Sequence, residues 1–220
     1  MVLNYSRLSS IIVFLIFIVS FQKIYSQDKR DVGIQLGGTY YYGDFNENAP
    51  FHKPSFGLGV IFRYNLNNYY SLRASALYGN ISGSYTGNAY LPSVTKSDFS
   101  KTFLNAEFMG EFNFVSFNPI TDRKGKLSPF VNLGIGVSQI GGTIIPNIPF
   151  GLGLKYTSGQ RHTLALEWQF HKTFSDDIDN YSAPNDGKSV FIHNNDWTSF
   201  IGLIYTYRLY NNGETCPAYK

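Results

Sequence analysis

Eight stretches of this chain alternate apolar residues with small or polar ones at a period of two, a pattern that only a β-strand turns into two distinct faces. In the first, Val32, Ile34, Leu36, Tyr40 and Tyr42 share one parity, and Gly33, Gln35, Gly37 and Thr39 the other. The second sets Phe56, Leu58, Val60, Phe62 and Tyr64 against Gly57, Gly59, Ile61 and Arg63. The third sets Tyr70, Leu72, Ala74, Ala76 and Tyr78 against Ser71, Arg73, Ser75, Leu77 and Gly79. The fourth opposes Leu104, Ala106, Phe108, Phe112 and Phe114 to Asn105, Glu107, Met109, Glu111 and Asn113. Four more follow, built on Val131–Val137, Phe150–Tyr156, Leu164–Phe170 and Ile201–Leu209.

An even number of strands suits an antiparallel barrel with both chain ends on one side. Short links at Asn65–Asn68 and Ser158–Arg161 alternate with long ones at Gly43–Ser55, Asn80–Ser100 and Ser175–Asn195. Outer-membrane barrels pair short periplasmic turns with longer external loops, so this order predicts periplasmic termini. Two links depart from the rule: Val115–Leu127 is long for a periplasmic turn, and Gly141–Asn147 is short for an external loop.

Alternation alone fits a soluble barrel as well, and composition separates the two. Only 15% of residues are charged, and the polar parity is made of Gly, Ser, Thr, Asn and Gln rather than the Lys and Glu of a watered surface. Of twelve strand glycines (33, 37, 38, 57, 59, 79, 110, 134, 136, 151, 153, 202), only Gly38 and Gly110 share the apolar parity. Glycine weakens a strand and marks close approach, so ten on one face predict a crowded interior. Eight strands enclose just enough room to be filled by side chains. The same face carries Arg63, Arg73, Lys155 and Arg208 against Glu107, Glu111 and Glu167, predicting a paired ion network rather than a pore. The other face is aliphatic at mid-strand and aromatic near strand ends, at Tyr40, Tyr42, Tyr64, Tyr70, Tyr78, Trp168 and Tyr207, as the headgroup level favours. The expected fold is therefore all-β, an eight-stranded antiparallel transmembrane β-barrel of OmpA/OmpX-like size with a filled lumen.

Residues 1–26 read as a signal peptide: Arg7, the apolar stretch Ile11–Val19, and Ser26 before Gln27. The stretch is shorter than the ~20 residues a spanning helix needs. Losing Arg7 and Lys23 lowers the net charge from +3 to +1, too little to suggest a nucleic-acid partner. The barrel then occupies 27–210, and 211–220 forms a periplasmic tail. Cys216 in that tail is the chain's one cysteine, and in an exported protein it is either a free thiol or half of an intermolecular disulfide.

Motifs for chemistry are sparse. The G-x-G pairs at 57/59, 134/136 and 151/153 do not continue as G-x-G-x-x-G, and no G-x-S-x-G occurs. His52, His162, His171 and His193 lack metal-ligand spacing and are expected to be solvated, at strand ends or in loops. Asp176, Asp177 and Asp179 offer oxygen ligands that suit calcium, but without the Gly and distal Glu of a dedicated loop they read as solvated. A barrel lipid deacylase would need Ser, His and an acid on the lipid-facing surface, where the residues are almost wholly apolar. No enzyme activity, cofactor, metal or small-molecule substrate is expected.

Several segments resemble the PorG family of small outer-membrane barrels in the type IX secretion system of Bacteroidetes. They are Asp31-Val-Gly-Ile through Tyr42-Gly-Asp, Phe103-Leu-Asn-Ala-Glu-Phe, Ile148-Pro-Phe-Gly-Leu-Gly-Leu-Lys-Tyr, Phe174-Ser-Asp-Asp-Ile-Asp-Asn-Tyr-Ser182 and Cys216-Pro-Ala-Tyr219. The last strand, with Gly202, Tyr205 and Tyr207, also looks like an outer-membrane assembly signal, although Phe200 replaces its usual polar first position. The resemblance implies a structural subunit that anchors a periplasmic ring of a PorK-like lipoprotein and a PorN-like protein. It makes Cys216, Pro217 and Tyr219 the first contact, with Arg123, Lys124 and Lys126 of the long periplasmic link as a second surface. The alternative is a general structural or adhesive barrel without a ring partner, which would not need the tail.

Overall fold

The computed structural model describes residues 29–42, 54–85, 97–174 and 197–209. The expected signal peptide, the acidic cluster at Asp176, Asp177 and Asp179, His52 and His193, and the tail with Cys216, Pro217 and Tyr219 lie outside the described residues. Eight strands form one closed antiparallel barrel: β1 Arg30–Tyr42, β2 Ser55–Asn65, β3 Tyr70–Tyr85, β4 Ser97–Asn113, β5 Leu127–Ile140, β6 Thr143–Gly159, β7 His162–Thr173 and β8 Trp197–Arg208. Each strand pairs with its neighbours in sequence, and β1 closes on β8 from Asp31↔Arg208 to Tyr42↔Trp197. No edge is left open, which is the condition for a sheet to stand in hydrocarbon. The end where β1 starts and β8 finishes is called the near end here, and the opposite one the far end.

The faces follow the sequence parities. Leu58, Phe108, Leu133, Ile135, Leu152, Leu166 and Leu203 point outward and exposed, while Gln35, Asn105, Asn132, Thr163, Gln169 and Thr206 point inward and buried. In water such an outer surface would be one contiguous apolar patch far beyond what a soluble monomer shows. The barrel is built inside-out for a bilayer.

Toward the far end of β3, β4 and β5 the sense of the alternation reverses, although Ile144 of β6 stays outward and exposed. Asn80, Thr102 and Gln139 now face outward, and Ile81, Phe103, Ile140 and Ile145 face inward and are buried. Apolar-in and polar-out is the pattern of a barrel in water, so this reversal marks where the strands leave hydrocarbon. It also corrects the expected loops. Residues 80–85 and 97–100 of the link placed at Asn80–Ser100 belong to β3 and β4, which pair continuously out to Tyr85↔Ser97. Tyr78, expected near a strand end, is consequently mid-strand. The link expected at Gly141–Asn147 shrinks to Gly141–Gly142, whose φ angles of 56° and 96° make a hairpin turn that side chains resist. The β3–β4 difference arises because an outward apolar face was used to recognise strands, and Asn80 and Thr102 do not supply one; at the start of β6, by contrast, Ile144 and Pro146 do face outward.

The glycines lie where the interior is tightest. Gly202, Gly37, Gly57 and Gly79 are register partners in one row across β8, β1, β2 and β3. A Cβ built on Gly37 would lie 2.1 Å from the Ile201 carbonyl oxygen, and one on Gly202 would lie 2.4 Å from Cζ of Phe200. The row gives Phe200, itself fully buried, the space to lie across the lumen.

Candidate functional site

The lumen holds the ion network the parity predicted, with one member more. Arg63 faces Glu111 with Nε at 2.9 Å and Nη2 at 3.1 Å, and Arg73 grips Glu167 with Nη1 at 2.6 Å and Nη2 at 2.7 Å. Lys155 pairs with Glu111 and donates to Asn113 Oδ1 at 2.6 Å. Arg208 pairs with Asp31, which also lies 3.5 Å from Arg63 Nη1. Asp31 was absent from the expected set of four cations and three anions, because the alternation was read only from Val32 onward. It shares the parity of Gly33, and with it the buried Arg63, Arg73, Lys155 and Arg208 meet Asp31, Glu107, Glu111 and Glu167 in equal number. Paired Arg forks of this kind hold geometry as well as charge.

Glu107 completes the network with neutral partners. It accepts from Ser75 Oγ at 2.9 Å, Asn105 Nδ2 at 3.0 Å and Gln169 Nε2 at 2.8 Å. His171 Nε2 lies 3.3 Å away, and its Nδ1 is 3.3 Å from Thr198 Oγ1. His171 is fully buried, which corrects its expected place in solvent. Its parity within β7 puts it in the lumen, and absence of metal spacing says nothing about burial.

Apolar side chains close the lumen above this network. Tyr41, Leu77, Ile81, Phe103, Ile140, Ile145 and Phe200 form one buried cluster at the far end. A smaller cluster of Ile61, Phe130, Ala165 and Ile204 packs among the charges, with Lys155 Nζ 4.8 Å from the Phe130 ring centre.

The near end is closed by the long link, residues 114–126. Phe117 turns inward and is 6% exposed, its backbone N–H donating to Asn68 O at 2.9 Å and its ring lying 5.6 Å from Lys155 Nζ. Pro119 O accepts from Arg161 N at 3.0 Å, while Gly125 N donates to Thr157 O at 2.8 Å and Thr157 N to Lys126 O at 2.9 Å. The link is thus a lid sewn onto β6 and the turn that follows it, not a free arm. Of its three basic residues, Arg123 and Lys124 are exposed, whereas Lys126 is half-buried and pairs with Asp122 at 2.8 Å. Nothing in the alternation announces the lid, since Phe117 belongs to no strand and its inward turn depends on where the barrel mouth lies.

A comparison with protein families matches residues 9–218, nearly the whole chain, to DUF6089, a domain of unknown function. The chain belongs to that family. No curated protein matches it in sequence. Among solved structures, Neisserial surface protein A aligns with 10% identity over 84% of this chain and 99% of its own, at a TM-score of 0.51. Ail of Yersinia pestis aligns with 11% identity over 83% of this chain and 100% of its own, at 0.45. OprG of Pseudomonas aeruginosa aligns with 10% identity over 85% and 100%, at 0.44. At such identities the first of these is a likeness of fold, and that fold is the small eight-stranded outer-membrane barrel of this DUF6089 protein.

Proposed function

We propose that this chain is a non-enzymatic outer-membrane component of the type IX secretion system that anchors a periplasmic ring of PorK-like and PorN-like proteins. On this reading both ends of the chain are periplasmic, and the near end faces the ring. The observation that carries the proposal is the sealed lumen. A barrel filled by paired ions, capped by Phe117 below and by the Phe103–Phe200 cluster above, has no interior left for transport, so its work falls to its ends and its outer wall. The near-end lid presents Arg123 and Lys124 to a partner on a rigid, hydrogen-bonded base. By resemblance the tail with Cys216, Pro217 and Tyr219 supplies the first contact, and the lid the second.

Affinity capture from cells tests it. Full-length protein should recover PorK-like and PorN-like components, and deletion of residues 211–220 should reduce recovery strongly. Arg123→Glu with Lys124→Glu should reduce it further. Undiminished capture by the combined variant would favour the alternative, a structural or adhesive barrel with no ring partner.

A further inference from the structure

Ten of the twelve glycines that the alternation placed on strands point into the lumen, and at each of the ten a Cβ would meet another atom at under 3.0 Å. At Gly38, on the outer face, a Cβ would already touch the Tyr40 hydroxyl at 3.0 Å and its ring at 3.2 Å. Gly110, also on the outer face, is different: the nearest atom to its built Cβ is Leu133 O, at 3.9 Å. Nothing within the barrel requires a glycine there, and a glycine inside a strand weakens it. What Gly110 does is keep a groove open. Its register partners form the row Leu72, Gly110, Leu133, Phe150, Phe170 across β3 to β7, and only the glycine lacks a side chain.

Aromatic pairs wall the groove on both sides. Tyr70 and Phe112 meet at 5.0 Å between ring centres on one side, and Phe150 and Phe170 stack at 5.4 Å on the other. The volume is about 680 Å³, room for roughly twenty methylenes at about the 30 Å³ of a liquid water each. The groove starts at the near end beside Leu66, where Lys29 Nζ donates to Leu66 O at 3.2 Å and sets an ammonium at the mouth. From there it runs up the hydrocarbon-facing wall.

We infer that this groove holds one acyl chain of a glycerophospholipid, with the lipid phosphate at the near-end rim beside Lys29. An apolar channel open to the bilayer, with a cation at its interfacial mouth, matches a phosphate carrying an alkyl chain. A protein partner would need about 800 Å² on this side alone, more than one slot supplies. The inference rests on the membrane-spanning fold and not on the secretion reading, so either can fail alone.

The test is native mass spectrometry of full-length protein, folded into vesicles of phosphatidylethanolamine and phosphatidylglycerol, extracted in mild detergent and stripped stepwise. Wild type should retain a single phospholipid after bulk lipid is gone. Gly110→Leu, which fills the groove, should lower retention about tenfold, whereas Ala106→Leu on the same face should leave it unchanged. If Gly110→Leu does not fold, Gly110→Ala is the deciding variant, since its added methyl has open space, and retention should fall about fourfold. A wild type that retains no lipid, retention that is unmoved at Gly110, or a retained species with the mass of a glycolipid overturns the inference.

Discussion

Arg63 and Arg73 stand directly opposite one another on β2 and β3, two buried guanidiniums in one register pair. Like charges so placed repel, and Glu111 from β4 is what makes the arrangement stable, lying 2.9 Å from Arg63 and 3.7 Å from Arg73 while also pairing with Lys155. Three cations therefore share one carboxylate, with Glu167 as the closer partner of Arg73 and Asp31 as a further one of Arg63.

Glu111→Gln keeps the shape and removes the charge. It should destabilise the folded barrel by roughly 3–5 kcal/mol, the usual result of leaving buried charge uncompensated. The urea midpoint for loss of the compact, heat-modifiable electrophoretic band reads this directly. A midpoint equal to wild type would mean that Glu167 and Asp31, without Glu111, suffice to hold Arg73 and Arg63.

The glycine positions divide by what surrounds them. Gly37→Val forces a Cβ to 2.1 Å from the Ile201 carbonyl oxygen and should prevent barrel closure, whereas Gly110→Ala should fold like wild type. The same electrophoretic band distinguishes them. Equal folding of both variants would contradict the crowding of the lumen.

A sealed lumen predicts electrical silence. Purified protein in planar bilayers should give no stable single-channel steps, because charge pairs fill the middle and hydrophobic side chains close the far end. Large, steady steps would contradict it. Phe103→Ala should cost about 3–5 kcal/mol in stability through the cavity it leaves, and the ion network beneath should keep the lumen closed.

The fold was legible because period-two alternation survives every local detail, and even Gly38 and Gly110 were assigned correctly as outward. The lumen charges were legible for the same reason: Arg63, Arg73, Glu107, Glu111, Lys155, Glu167 and Arg208 all sit on the buried parity. Asp31 and the burial of His171 were equally available from parity and were lost by starting one strand late and by judging histidine from metal spacing. The far-end extensions of β3 and β4 were hidden because their polarity is reversed, so a search for outward hydrophobes stops at Tyr78. The Phe117 lid and the Gly110 groove depend on distances between strands far apart in sequence, which alternation does not contain.

The central claim is that hydrocarbon surrounds the middle of this cylinder and water its far end. Spin labels placed singly at Leu58, Leu133 and Leu203, and at Asn80, Thr102 and Gln139, on a Cys216→Ser background in lipid nanodiscs, test it by electron paramagnetic resonance. The first three should collide freely with oxygen and be shielded from a water-soluble nickel chelate, and the second three should show the reverse. A chelate that reached Leu133 and Leu203 as readily as Asn80 would contradict the account.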